Sequence, residues 1–201
     1  MILNKTLCIL IAGKAGTGKT ESAKFLDSYL SNFQLKGGIY SFASGVKHCA
    51  REYYGWDGLK DERGRRLLQN VGRTGREYNI DIWVNKTLKS FHSSFDPVGD
   101  FMLVDDWRYP NELNKVLTDP SLHVITLRIE SPMRELLKEG TPEAKDSSET
   151  SLPSVVGMLP VPGICNGLEG YRYIINNIGS KQDLYESLMI IADREIDGLK
   201  F

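Results

Sequence analysis

Eight residues, Gly13-Lys14-Ala15-Gly16-Thr17-Gly18-Lys19-Thr20, satisfy G-x-x-x-x-G-K-[ST] at every fixed position. Glycines at those places let the backbone curl until consecutive N–H groups point at one centre, a nest of partial positive charge suited to phosphate oxygens. A helix starting at the end of such a loop adds its N-terminal dipole. Lys19 is then placed to reach β- and γ-phosphates, and the Thr20 hydroxyl to ligate Mg²⁺. The flanks supply the context the pattern requires. Leu7–Ala12 (LCILIA) reads as a buried strand, and residues 18–30 as a helix. The loop implies a bound triphosphate and leaves open whether the phosphate is transferred, hydrolysed or only held.

A metal-bound phosphate also wants a carboxylate at the end of a neighbouring strand. The run FMLVDDWR offers two, Asp105 and Asp106. One is expected on the metal and the other in a helix cap or turn, and spacing does not assign them. A second anion site is suggested by Arg63, Arg65, Arg66, Arg73 and Arg76 within DERGRRLLQNVGRTGREYNIDIWV. If residues 64–76 are helical, Arg66, Gln69, Arg73 and Arg76 share a face, with Leu67, Leu68 and Val71 turned inward. Guanidinium forks suit a phosphate monoester, and Gln69 can add an amide contact. The competing reading is a solvated basic surface. Upstream, in SFASGVKHCA, Lys47 is placed to reach an acceptor phosphate. Phe42 reads either as an aromatic wall for a base or as core, and Trp83 and Trp107 carry the same ambiguity.

These residues need a scaffold, and the chain alternates short apolar runs with longer amphipathic ones. That predicts βαβ units around a mainly parallel sheet of about five strands. Strands are expected at LCILIA, GIYSFA, FMLVDD, LHVITLRI and YRYIINN. Helices are expected over residues 45–54, 61–76, 81–91, from about Pro110, over 131–140 and over 180–196. Ser131 is the expected cap and Gly140 the stop of the short basic helix. Residues 141–170, rich in Pro, Gly and Ser, read as an extended mobile segment.

With 201 residues, 41% hydrophobic and 25% charged, the chain fits one globular domain. A net charge of −1 gives no global pull toward nucleic acid or an anionic membrane. Cys8, Cys49 and Cys165 form no CxxC pair, which argues against zinc or a disulfide framework and fits a reducing compartment. Lys5 precedes an apolar run that superficially resembles a signal peptide. The run is too short for an h-region or a membrane span, so the expectation is a soluble cytoplasmic protein.

Taken together, GKAGTGKT, SFASGVK, RRLLQNVG followed by DIWV, DDWRYPNE, SSET and IINNIGS resemble, in order, the deoxynucleoside monophosphate kinases of phages and bacteria. These lie within the adenylate-kinase-like P-loop group, and the resemblance runs from Leu7 to about Leu188. It implies a three-layer P-loop NTPase fold with an inserted monophosphate-binding helical region (about 44–92) and a lid and extended loop (about 131–170). It implies ATP and Mg²⁺, with Lys19 and Thr20 on the donor side. Asp106, followed two residues on by Arg108, matches the family's D-x-R, which tips the metal or acceptor-side role toward Asp106. Arg66 and Gln69 match the acceptor helix, and Arg128 and Arg134 look like lid-side arginines closing over the transferring phosphate. Asn177 and Gly179 fall where such folds pass the donor adenine. The sequence departs from the family at Asp146 and Ser147, where a histidine-containing form is expected, which weakens Ser148 and Glu149 as acceptor contacts. Residues 152–170 are longer and more apolar than expected and read as an extra hairpin or an oligomer contact, leaving a homodimer open.

The implied reaction is in-line transfer from ATP to a (deoxy)nucleoside monophosphate, resting on positioning and charge stabilisation. A kinase of the same fold acting on another phosphorylated acceptor, such as dephospho-coenzyme A, and a nucleotide switch with no acceptor are the alternatives.

Overall fold

The computed structural model describes residues 5–94, 100–132 and 171–199. The apolar run at the start becomes β1 (Thr6–Ala12), buried at every residue. A strand apolar on both faces must be covered on both. It lies third in a five-stranded sheet ordered β2-β3-β1-β4-β5. The other strands are β2 (Gly37–Tyr40), β3 (Phe101–Val104), β4 (Leu122–Glu130) and β5 (Tyr173–Asn176). All pairings are parallel, with Leu7–Leu10 in register with Phe101–Val104 and Thr6–Ala12 with Leu122–Arg128.

Parallel neighbours need crossover connections. The described helices are α1 (Lys19–Asn32), α2 (Ala43–Tyr54), α3 (Glu62–Tyr78), α4 (Ile82–Ser94), α5 (Pro110–Leu117) and α6 (Lys181–Leu199). Alternate residues of β1 feed two cores. Leu7, Ile9 and Ile11 join Leu26 and Leu30 of α1 and Leu188 and Ile191 of α6. Cys8, Leu10 and Ala12 join Val84 and Phe91 of α4 and Leu113 and Val116 of α5. This is the expected three-layer α/β architecture. Since every strand runs the same way, all carboxyl ends open on one side, where such sheets bind ligands. Among the described residues, no helix is long and apolar enough to cross a membrane.

Near the amino ends of β4 and β5, α6 is fastened by a buried carboxylate. Glu195 accepts hydrogen bonds from His123 Nε2 at 2.9 Å and from the Tyr173 hydroxyl, and it pairs with Arg172 Nη2 at 3.0 Å. Burial pushes its carboxyl up, and these donors more than offset that, holding it below the usual range.

Three expected strands are shorter than read. The second stops at Tyr40, and Phe42 already has helical angles (φ −62°, ψ −29°), so α2 begins two residues earlier than its apolar periodicity implied. Asp105-Asp106 and Asn177 likewise fall beyond the strands they were assigned to. The helix expected over 131–140 and the segment 141–170 lie outside the described residues apart from Ser131 and Pro132, and Arg134, Asp146, Ser147, Ser148 and Glu149 lie outside them too.

The helical insertion α2–α4 is held by one indole. Trp83 donates from Nε1 to the Gly72 carbonyl at 3.0 Å, and its ring is 7% exposed. A methyl at Gly45 of α2 would lie 2.9 Å from Trp83 Cε3, and one at Gly75 of α3 would lie 2.3 Å from Cζ2. Trp83 is therefore packing. The inward side of α3 carries buried Gly64 and Gly72, with Leu67, Leu68 and Val71 half-buried beside them. Glycine to alanine ordinarily stabilises a helix by up to about 1 kcal/mol. Gly75→Ala should instead lower stability by about 1–3 kcal/mol through overpacking. Gly198→Ala, with nothing within 4 Å, should not. Urea unfolding of both variants checks the contrast.

Candidate active site

The loop after β1 is built on left-handed glycines: Gly13 (φ +147°), Gly16 (φ +85°) and Gly18 (φ +109°). At Gly13 space is decisive as well, because a methyl would lie 2.4 Å from the Ile129 carbonyl oxygen of β4. Thr17 is fully buried and closes the turn, donating from Oγ1 to the Lys14 carbonyl at 3.0 Å. Gly18 caps α1, so the helix N-terminus opens directly onto the loop. The Lys19 ammonium rests on the carbonyls of Gly13 (2.6 Å) and Lys14 (2.8 Å), at the mouth of this nest.

The two aspartates after β3 separate. Asp105 Oδ2 accepts from the Thr20 hydroxyl at 2.8 Å. Asp106 turns the other way and accepts from Ser41 Oγ (2.7 Å), Phe42 N (2.8 Å) and Ala43 N (2.9 Å). The D-x-R match favoured Asp106 for a metal or acceptor-side role, and both its oxygens bond the start of α2. It is Asp105 that meets the phosphate-loop hydroxyl. Thr20 and Asp105 together present hard oxygen donors beside Lys19, a set suited to Mg²⁺.

Asn177 braces the loop from the far side. Its Nδ2 donates to the Thr17 carbonyl at 2.9 Å, while its own N–H bonds Glu130 O at 2.7 Å and its carbonyl accepts from Ser131 Oγ at 3.0 Å. Gly179 is packed against the Asp183 carboxylate, which accepts from Ser180 N at 2.7 Å and so opens α6. Between β5 and α6 lies a cavity of about 210 Å³, lined by Ile175, Asn177, Ile178, Gly179, Leu184 and Ser187.

On the insertion side, Phe42 is 3% exposed and belongs to the α4–α5 core, so it is no aromatic wall. Lys47 is half-buried on α2. Arg66, Gln69 and Arg73 are exposed on α3, and Arg73 bonds Asn70 Oδ1 (3.2 Å) and pairs with Glu77 (3.8 Å). Arg76 behaves differently: its guanidinium lies 4.5 Å from the Tyr109 ring centroid, with Nη2 3.3 Å from the hydroxyl. Arg128, in register with Ala12, pairs with Glu130 at 2.6 Å and lies over the Tyr171 ring at 5.4 Å. Trp107, fully buried, links the two tyrosines. Its ring is 5.4 Å from that of Tyr171 and its Nε1 donates to the Tyr109 carbonyl at 3.1 Å.

Glu112 fixes this segment. Its Oε2 accepts from Arg108 N (2.9 Å) and Tyr109 N (3.0 Å) at the start of α5. The residue is 6% exposed. Burial pushes its carboxyl up to about 7, helped by the charge of Asp106 and opposed by the two N–H donors and Arg76. Tyr109 and Glu112 went unassigned in the sequence reading, although the DDWRYPNE segment contains both. Proline at the first helical position with Glu two residues later is the signal that marks them.

No protein-family model matches the chain, and no curated protein matches it. Among solved structures the chain is similar to the Mycobacterium tuberculosis APS kinase CysC in complex with AMPPNP and APS. That likeness has 12% identity and a TM-score of 0.46, over 94% of this chain and 96% of that one. It is also similar to shikimate kinase from Aquifex aeolicus, with 11% identity and a TM-score of 0.44, over 95% of this chain and 99% of that one. What this chain does has to be read from its own residues.

A carboxyl whose pKa is raised on folding stabilises the fold below its unfolded pKa, and that stability is lost as pH rises through the folded value. Glu112→Gln keeps an acceptor for both N–H groups and removes the charge. The variant should therefore gain on the wild type as pH rises from about 5 to 7.5, by up to about 3 kcal/mol. Urea unfolding across that range tests it, and a pH-independent difference would contradict it.

Proposed function

We propose that the chain transfers the γ-phosphoryl group of ATP to a nucleoside or deoxynucleoside monophosphate. One observation carries this reading. A phosphate nest with its Thr20–Asp105 oxygen pair and an arginine-bearing helical insertion adjoin the same carboxyl end of the sheet, joined through Asp106. A site that only binds or hydrolyses a nucleotide needs the first and leaves the second without a role.

The loop amides of residues 13–20 and the α1 dipole receive the donor phosphates, and Lys19 moves from the Gly13 and Lys14 carbonyls onto the β- and γ-oxygens. Thr20 and Asp105 would hold Mg²⁺, which when bound neutralises charge on those oxygens. The adenine is assigned to the cavity beside Asn177 and Gly179, with Asn177 also holding the loop in shape. Arg128 stands beside the loop on β4, pre-set by Glu130 and Tyr171. Arg134 and Glu149 remain proposed for the donor–acceptor closure and the acceptor. Lys47, Arg66, Gln69, Arg73 and Arg108 are assigned to the acceptor wall. A monophosphate oxygen is already an anion, so the transfer needs no general base. The rate then comes from alignment and charge stabilisation. The ordered segment resemblance to deoxynucleoside monophosphate kinases supports a nucleotide over other phosphorylated acceptors.

The test is ATP-dependent transfer across the common ribo- and deoxyribonucleoside monophosphates. At least one should yield its diphosphate; transfer to none, with dephospho-coenzyme A or another phosphorylated metabolite accepted instead, would overturn the reading. Lys19→Ala should lower kcat by at least about 10²-fold with the unfolding midpoint unchanged.

A further inference from the structure

The basic face of α3 is long, and its arginines stand at different distances from the sheet. Arg66 stands ten residues from Arg76, about 15 Å along the axis at 1.5 Å per residue. At that separation the two stand at opposite ends of the face, and the end nearer the acceptor phosphate is chosen by other contacts. Trp83 sits against Gly45 near the start of α2 and against Gly75 near the end of α3, where it also bonds the Gly72 carbonyl, while Trp56, just past the end of α2, lies against Gly64. The two helices therefore run antiparallel. Arg76 lies at the end of α3 nearest the sheet, and Arg66 toward the outer tip.

Arg76 is also the arginine of that face with a built seat. Its guanidinium stacks on Tyr109 at 4.5 Å, and its Nη1 lies 3.5 Å from where a side chain at Gly72 would begin. The seat is itself fixed through the backbone. Tyr109 N bonds Glu112, and the Tyr109 carbonyl accepts from Trp107. Asn111 ties the same segment to the α3–α4 turn, donating to Ile80 O at 2.9 Å and Asp81 Oδ1 at 3.1 Å. Asp105, on the donor side, is only four residues before Tyr109, at most about 14 Å of extended chain. A phosphoryl group passing in line from the Lys19–Thr20–Asp105 side meets an acceptor at this end of α3.

Resting on the monophosphate-kinase reading above, we propose that Tyr109 is a positioning residue that holds Arg76 as the acceptor-phosphate arginine. A free arginine samples many rotamers, and ordering it on binding costs affinity. A stacked aromatic face sets that order beforehand. Because the Tyr109 backbone is secured by Glu112 and Trp107, exchanging its side chain leaves the loop path in place.

The experiment measures KM for the acceptor, KM for ATP and kcat in wild type, Tyr109→Leu, Tyr109→Phe, Arg76→Lys and the double variant Arg76→Lys/Tyr109→Leu, with thermal unfolding of each. Tyr109→Leu should raise acceptor KM by roughly tenfold with ATP KM within about twofold. Tyr109→Phe, which keeps the ring and loses only the 3.3 Å hydroxyl contact, should recover most of that loss. Arg76→Lys keeps the charge but not the planar fork and should raise acceptor KM on its own. It leaves Tyr109 in place, so it tests the pair even if Tyr109→Leu folds poorly. The double variant should be no worse than the poorer single one, the sign that the two act as a unit. Unchanged acceptor KM in both single variants, equal rises in both KM values, or additive losses would overturn the assignment. A wild type that transfers to no monophosphate would overturn the parent reading, and the role of Tyr109 with it. An active wild type with an indifferent Tyr109→Leu would overturn the role of Tyr109 alone.

Discussion

The Asp106 carboxylate accepts three hydrogen bonds across the gap between β3 and the start of α2, from Ser41 Oγ, Phe42 N and Ala43 N. These are charge-assisted bonds to two main-chain donors and a hydroxyl, stronger than their neutral counterparts. They end β2 at Tyr40 and start α2 at Ala43, so they set where the helical insertion leaves the sheet. Its immediate neighbour, Asp105, meets Thr20 of the phosphate loop. The chain bends at Asp105, just past β3, and the two carboxylates reach different partners. Here that geometry joins the insertion and the phosphate loop through a single peptide unit.

Rigidity is distributed along the strands accordingly. Toward the amino ends of β4 and β5, Glu195 is buried with His123, Tyr173 and Arg172 as donors, and a buried charge with that many partners is costly to disturb. Toward the carboxyl ends, contacts pass between loops instead. Asn177 supports Thr17, Glu112 supports Arg108 and Tyr109, and Trp107 lies between Tyr109 and Tyr171. The segments at this end are thus tied together by side chains that bond their neighbours' backbones.

Much of this was legible in the sequence. LCILIA reads as a buried strand and is β1, covered on both faces, and the glycine spacing of residues 13–20 is met by left-handed glycines at 13, 16 and 18. The assignment of the two aspartates was not legible, because it depends on strand order. With β3 between β1 and β2, its carboxyl end stands between the 13–20 loop and the start of α2, and the bend of the chain at Asp105 decides which carboxylate meets which. Phe42 was ambiguous because a residue just past a strand can turn inward or outward, and the helical turn at Phe42-Ala43 sent it inward. The close packing at Gly72 and Gly75 of α3 was not legible, because the surface they meet is the Trp83 indole from α4, which leaves no room for a side chain at Gly75. Tyr109 and Glu112 follow no periodicity at all. The helix-start role of Glu112 is local and marked by its spacing from Pro110, whereas the seat that Tyr109 gives Arg76 is a contact with α3 that only the folded chain makes.

The division of labour between the paired aspartates is the center of the account, and calorimetric ATP binding with and without Mg²⁺, alongside thermal unfolding, measures it in Asp105→Asn and Asp106→Asn. Asp105→Asn should lose the Mg²⁺-dependent gain in ATP affinity with its melting midpoint near that of the wild type. Asp106→Asn should keep that gain and melt several degrees lower. The reverse pattern, with Mg²⁺ dependence lost at Asp106 and retained at Asp105, would contradict it.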